Sequence, residues 1–477
     1  MKKHLSTILL FFSLLGFISC EREFDFRGSE EGLSFSNDTV MFDTIFSSIG
    51  STTQNFRVYN PYNEDLTITN ISLAGGEESN FRINVNGFSD HSVNEIPIRA
   101  RDSLYIFVDV TINPSGDNEP FIVTDSILFE TSQRIQSVKL IAYGQDIVLM
   151  KQEWLETQHL TKEKPYLIYD YLVVDSAQTV TIDPGARLYF YKDASLLVLG
   201  TLNVEGTTEE PVLFASHRLE DWYADVPGQW GYIHLLPGSG QSSFDNAIIR
   251  NGLMGILADS VGENESPIEI SNTKIEHIST FGLLAESSVV NMNNGVIGQC
   301  GNSSVALTVG GEYEFSHCTF TTNEYLFGSR NGSSIFLNNY YKDENGNTQV
   351  IPLKKANFNN CIIYGSFLNE LDTDFEYRDD EFPEADVNYK FDHSLLKLDS
   401  TYDTSNENIF VNTITDKAPN FINTEEYNYQ LDTLSPAKDV GKRSIAEQFP
   451  VDILNMSRLD DDAPDLGAYE RQERKDE

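Results

Sequence analysis

The chain has 477 residues, with 73 acidic against 33 basic side chains and a formal net charge of −40. That charge repels phosphate backbones, so nucleic acid is excluded as an expected partner, and anionic polysaccharides are repelled as well. At 40% hydrophobic and 12% aromatic the chain is not an acidic disordered tail, and its length suggests two or three domains.

The first residues read as an export signal. Met1-Lys2-Lys3 is a positive start, and Leu5 to Ile18 is an apolar run too short to span a bilayer, which needs about 20 residues. The run ends in Phe17-Ile18-Ser19-Cys20. This resembles the lipobox of bacterial lipoproteins, with Phe17 where Leu is usual. The resemblance implies cleavage after residue 19 and lipidation of Cys20, which becomes the new N-terminus. The acyl chains added there would anchor the chain stably in a membrane, since each buried CH₂ contributes about 0.8 kcal/mol. Residues 20–32 are then a lipidated tether. Glu21-Arg22-Glu23-Phe24-Asp25 is similar to the surface-export signal of some diderm lipoproteins. These features imply an outer-membrane, surface-exposed location.

From Leu33 to Asp146 the chain consists of short alternating runs, among them Asn55 to Tyr59, Leu66 to Ile71, Phe81 to Val85 and Leu104 to Ile112. Asn60-Pro61, Gly75-Gly76 and Asn113-Pro114 separate them. Eight such strands predict an antiparallel β-sandwich over 33–146. The phrases Leu33 to Val40, Arg57-Val-Tyr-Asn60 and Ala142 to Asp146 resemble immunoglobulin-like domains of surface lipoproteins. Residues 147–164 read as a short helical or irregular connector.

From Pro165 the strands are separated by Gly and Pro turns, and a repeat emerges. Asn246-Ala-Ile-Ile249, Asn272-Thr-Lys-Ile275, Asn294-Gly-Val-Ile297, His317-Cys-Thr-Phe320 and Asn360-Cys-Ile-Ile363 share one register, with successive spacings of 26, 22, 23 and 43 residues. Asp392 to Leu396 is a degenerate copy. Helix-free repeats of this length predict a right-handed parallel β-helix over 165–434. The last tetrad residues would form one buried column and the Asn residues a ladder at a turn. Lys274, one residue away, would point outward. Residues 338–347 are expected to form a protruding hairpin, and Glu370 to Asp386 a second insertion. The fold class is therefore all-β.

The end of the chain carries Ser435-Pro-Ala-Lys-Asp-Val-Gly441, then Asp452 and Arg458, then Pro464-Asp-Leu-Gly-Ala-Tyr-Glu470. This resembles the terminal signature of parallel β-helix proteins of the pectate-lyase-like superfamily, with Asn455 where the middle motif has Gly. Residues 435–477 read as a cap in which Arg458, paired with Asp439, Asp452 or Asp465, pins a loop across the final coil.

Chemistry is sparsely marked. No nucleophile elbow, zinc motif or phosphate loop is present. Cys300, Cys318 and Cys361 fit no zinc spacing and read as buried thiols. No cofactor is expected. Ca²⁺ is the one ion left open, through Asp343-Glu-Asn-Gly-Asn347 or Asp460-Asp-Asp462, each read as a turn in preference to a site. His217, His234 and His277 show no ligand spacing, and Trp230 is expected to pack under a turn. Trp222, Tyr223, Tyr340 and Tyr341 are the candidate glycan contacts. The favoured expectation is an envelope lipoprotein that displays its β-helix to bind a glycan or a surface protein. The alternative is a polysaccharide lyase or glycoside hydrolase, which would require several ionisable side chains from adjacent coils converging in a groove.

Overall fold

A computed structural model describes residues 32–132, 134–262, 266–323, 325–378, 386–415, 417–460 and 462–471. Cys20 and nearly all of the expected tether lie outside the described residues. The chain divides after Asp146 into two units.

The first unit is a sandwich of two five-stranded sheets. All pairings are antiparallel except one, in which Ile135–Gln145 runs parallel to Thr39–Phe46. Alternation places Phe56, Val58, Phe81, Ile83, Ile106, Val108, Ile127 and Phe129 in one core. Two strands go beyond the eight expected, Phe88–Asp90 and Ser92–Ile98. Both are edge strands. An edge position tolerates Pro97, which a central strand would not; Phe88–Asp90 is exposed throughout, and Ser92–Ile98 buries Val93, Ile96 and Ile98 with its alternation broken at Glu95, whose φ is 53°.

The second unit is a parallel β-helix. Among the described residues 25 of its strands form one continuous ladder system, and each full coil contributes to three faces. The tetrads lie on the first face, where the expected column holds: Phe214, Ile249, Ile275, Ile297, Phe320, Ile363 and Leu396 are successive register partners and all are fully buried. The second face runs from Leu172–Val174 through Ile233–Leu235, Ile256–Asp259 and Ile335–Asn338 to Leu371–Asp374. The third carries Phe315, Phe358, Phe391 and Phe410 in register, their rings stacked 4.8, 4.8 and 5.7 Å apart.

The Asn column has a cause beyond side-chain pairing. Asn246, Asn272, Asn294, His317, Asn360, His393 and Asn412 all have φ between 49° and 52°, the left-handed conformation that Asn tolerates best among non-glycine residues. The amide-to-amide bond forms between Asn294 and Asn272, at 3.0 Å. Elsewhere Asn272 donates to Asp245 and Asn360 bonds His317.

Three expectations are corrected. The connector is not irregular: Val148–Leu155 and Gln158–Leu160 pair in parallel with Tyr166–Val174 and Thr179–Ile182, so the first coil begins at residue 148. The second insertion starts later than expected. Glu370 is fully buried, where it clasps Arg330 at 2.6 Å and accepts from the Ser334 N–H and hydroxyl, and Leu371–Asp374 is a strand of the second face.

The third correction concerns the C-terminal segment, which lies along the outside of the first face. Tyr429, Ile453, Ala468 and Tyr469 cover Val296, while Leu431, Ala437 and Leu466 cover Ile362 and Leu395. Arg458 is fully buried and pairs with Glu470 at 3.1 Å, not with Asp439, Asp452 or Asp465, and its other amino group reaches Asn294 and the Gly467 carbonyl. Lys274 points outward as expected, and its ammonium lies 5.9 Å from the Tyr469 ring centre.

Candidate functional site

Insertions leave the coils at two corners. The first corner, between the first and second faces, carries residues 217–229, 323 and 325–331. The second, between the second and third faces, carries the hairpin of Tyr340–Lys342 with Thr348–Val350 and residues 375–378. The four candidate aromatics are thus split, with Trp222 and Tyr223 at the first corner and Tyr340 and Tyr341 at the second.

At the second corner the chemistry is that of turns. Tyr340 donates to Asp374 at 2.7 Å, and Tyr341 is exposed. Asp343 accepts from the N–H groups of Asn345 and Asn347 and from the Asn347 and Gln349 amides. Those bonds hold its carboxyl below the ordinary range, the Asn347 N–H contributing most. An Asp ringed by its own loop's donors closes a turn.

The first corner gathers ionisable groups from several coils. The 217–229 loop is stitched down by Asn251, which donates to the Ala224 and Val226 carbonyls, and by Gln229, which donates to those of Tyr223 and Val226. Within it Arg218 grips Glu220 and lies 3.7 Å above the Tyr223 ring. Tyr223 is thereby occupied, whereas Trp222 on the same short turn is 82% exposed. Trp230 instead packs inward as expected, stacked 4.2 Å from Phe190 and donating to the Arg250 carbonyl.

From this loop Asp225 accepts from Arg250 at 3.1 Å and faces His277 Nε2 at 3.4 Å. His277 sits at a left-handed position, φ 55°, as does Gln299 on the next coil. The strand kinks there, which is how a residue next to outward-facing Glu276 also points outward. The His277 imidazole is 3% exposed, and burial pulls it below its ordinary pKa against the opposing pull of Glu276 and Asp225. It is therefore a neutral hydrogen-bonding ring at pH 7. Tyr427 meets it edge-on at 4.6 Å, and Tyr429 accepts from Gln299 at 3.1 Å. Tyr325, Leu326 and Phe327 form the opposite wall of a cleft too narrow to hold a water molecule. Tyr325 packs over Gly301, where an added Cβ would meet its ring at 2.9 Å.

Sequence reasoning found Trp222 and Tyr223 but missed Asp225, Arg250 and His277 as a group. Arg250 and Glu276 are register partners, so the tetrad alignment already placed them side by side. What it lacked was Asp225, which arrives from an insertion, and the kink that turns His277 outward. A second, looser set lies on the second face. His234 is 3.9 Å from Asp259, whose register partner Glu286 is pushed above the ordinary carboxylate range by burial and by Asp259. Among the described residues no group of His, Cys, Asp and Glu side chains is arranged to hold a metal ion.

No family model matches the chain, and no curated protein matches it. Three solved structures show slight likeness. One is a family 123 glycoside hydrolase from Clostridium perfringens, described in connection with glycolipid glycan hydrolysis, at 9% identity and TM-score 0.18 over 25% of this chain and 30% of that one. The chain thus spans less than a third of that enzyme's length. The others are a PapD-like domain of human CEP192, at 7% identity and TM-score 0.17 over 24% and 84% of the two chains, and a protein of unknown function from Porphyromonas gingivalis W83, at 10% and 0.18 over 26% and 60%. None of these bears on activity.

Proposed function

We propose that the chain is a lipid-anchored envelope protein, held in the outer membrane through Cys20, whose β-helix binds a glycan at the first corner. The carrying observation is Trp222, an indole left 82% exposed on a loop that is otherwise tightly hydrogen-bonded. A rigid exposed ring supplies a stacking face at low entropic cost. The Asp225, His277 and Tyr427 groups at the same corner offer donors and acceptors with no net positive charge, which suits a neutral sugar better than an acidic one. A glycan-array screen tests this. Wild type should retain a ligand that Trp222→Ala binds at least tenfold more weakly, and equal binding by both proteins would overturn the reading. Fatty-acid labelling that marks wild type but not Cys20→Ala tests the anchor.

A second reading, catalysis on a polysaccharide, is favoured by the convergence of Asp225, Arg250, Glu276 and His277 from a loop and adjacent coils. Reducing or unsaturated ends released by wild type and lost in Asp225→Asn would establish it in place of simple binding.

A further inference from the structure

In each coil the residue after the left-handed Asn or His fills one column: Ala247, Thr273, Gly295, Cys318, Cys361, Ser394 and Thr413, all buried except the half-buried Thr413. Except for the alanine and the glycine, these are small side chains that donate to carbonyls. Thr273 donates to the Ser271 carbonyl at 2.7 Å, and Ser394 to the Phe358 carbonyl at 3.1 Å. The two thiols do the same, Cys318 to the Ser316 carbonyl at 3.4 Å and Cys361 to that of Asn359 at 3.3 Å. Cys318 and Cys361 differ from the rest in being chemically alike neighbours. They immediately precede the register partners Thr319 and Ile362, and the Ile362 N–H bonds the Cys318 carbonyl at 2.9 Å; both stand as free thiols in this structure. Stacked strands are about 4.8 Å apart, inside the range of roughly 4.4–6.8 Å that a disulfide spans between Cα atoms.

We propose that Cys318 and Cys361 form a disulfide that ties together the two coils between which the 325–331 loop and the hairpin leave the solenoid. Both sulfurs are fully buried in the folded chain, so the bond forms during folding. One thiol attacks a disulfide RSSR, giving a mixed disulfide and releasing RSH. The second thiol displaces the other RSH. Two thiols are oxidised, RSSR is reduced to two RSH, and the S–S bond closes. Cys300, whose register partner is Ile278, stays a thiol that burial pushes up to about 12.

The test uses the full chain, unfolded with reductant and refolded in a buffer of reduced and oxidised glutathione. It is then denatured without reductant, alkylated with N-ethylmaleimide and mapped by peptide mass. The expected result is a linked Cys318–Cys361 peptide pair lighter by two hydrogens, with Cys300 alkylated. Cys318→Ser should fold, because Ser394 shows that serine suits the column, and should leave Cys361 alkylated. Should wild type not refold, the same mapping is applied to protein extracted from the host envelope. Alkylation of both Cys318 and Cys361 in folded wild type from either source overturns the proposal. Because the refolding arm involves neither export nor sugar, its failure is distinct from failure of the glycan reading.

Discussion

Around Arg458 one guanidinium faces three carboxylates. Asp452 accepts from the N–H groups of Leu454, Met456 and Glu470, and Asp465 from those of Asp439 and Arg471. Glu470 pairs Oε2 with Arg458 but leaves Oε1 buried without a partner. Burial, reinforced by Asp465 and opposed by Arg458, pushes Glu470 up to about 8, and burial pushes Asp465 up to about 6. A carboxyl whose pKa is raised on folding contributes stability that is complete below its unfolded value, near 4.5 for Glu, and lost as pH rises through the folded value. Melting temperature should therefore fall between pH 5 and 9, and Glu470→Gln should flatten that slope. A variant with the wild-type slope would show that Glu470 is ionised throughout. The same scale tests the column. Ile275→Asp places an unpaired charge among buried neighbours and should cost about 3–5 kcal/mol. Lys274→Ala, on the opposite side of the same strand, should cost less than about 1 kcal/mol, as read from denaturant midpoints.

Among the elements, the C-terminal segment has the largest effect on its surroundings. Val296, Ile362 and Leu395 are apolar and face out of the coils, yet they are buried because Tyr469, Leu431 and Leu466 cover them. Deleting residues 417–471 should bare that stripe and drive association, measurable by light scattering and dye binding. A monodisperse truncation would show the segment to be dispensable. The second-corner hairpin contributes nothing comparable. Its arms pair only with each other in the sheet topology, so replacing residues 341–349 by a two-residue turn should leave the melting temperature within about 2 °C. The sequence carried the inner column and the hairpin plainly, because both rest on short-range pattern. It also held the clue to the outer layer, since the third tetrad residues at 296, 362 and 395 are apolar on what should be a wet face. That clue points to a cover without saying which segment supplies it. The cleft was illegible for a related reason. Asp225 and Tyr427 reach His277 from 52 residues before and 150 after it, and no local spacing encodes that meeting.

For the whole molecule, the two units have separate cores, and each is closed by its own alternating pattern. A fragment of residues 32–146 should fold by itself and melt cooperatively with a β-type circular dichroism spectrum; a fragment without cooperative melting would make the sandwich dependent on the solenoid. The units also differ in how contacts relate to the order of the chain. Each coil of the solenoid is completed by residues some 22–26 positions away in its regular part, so the coils can assemble one after another as the polypeptide emerges. The segment covering the first face runs against that order: Asn455 bonds Thr208, Arg458 bonds Asn294, and Gly467 bonds Asn360. Closing loops this long is slow relative to local coil formation. The stripe that these late residues protect, at Val296, Ile362 and Leu395, is thus complete before the segment that shields it has been made. For as long as synthesis is incomplete, a finished stack of coils carries a bare apolar stripe, and something other than the protein itself must keep it from its neighbours.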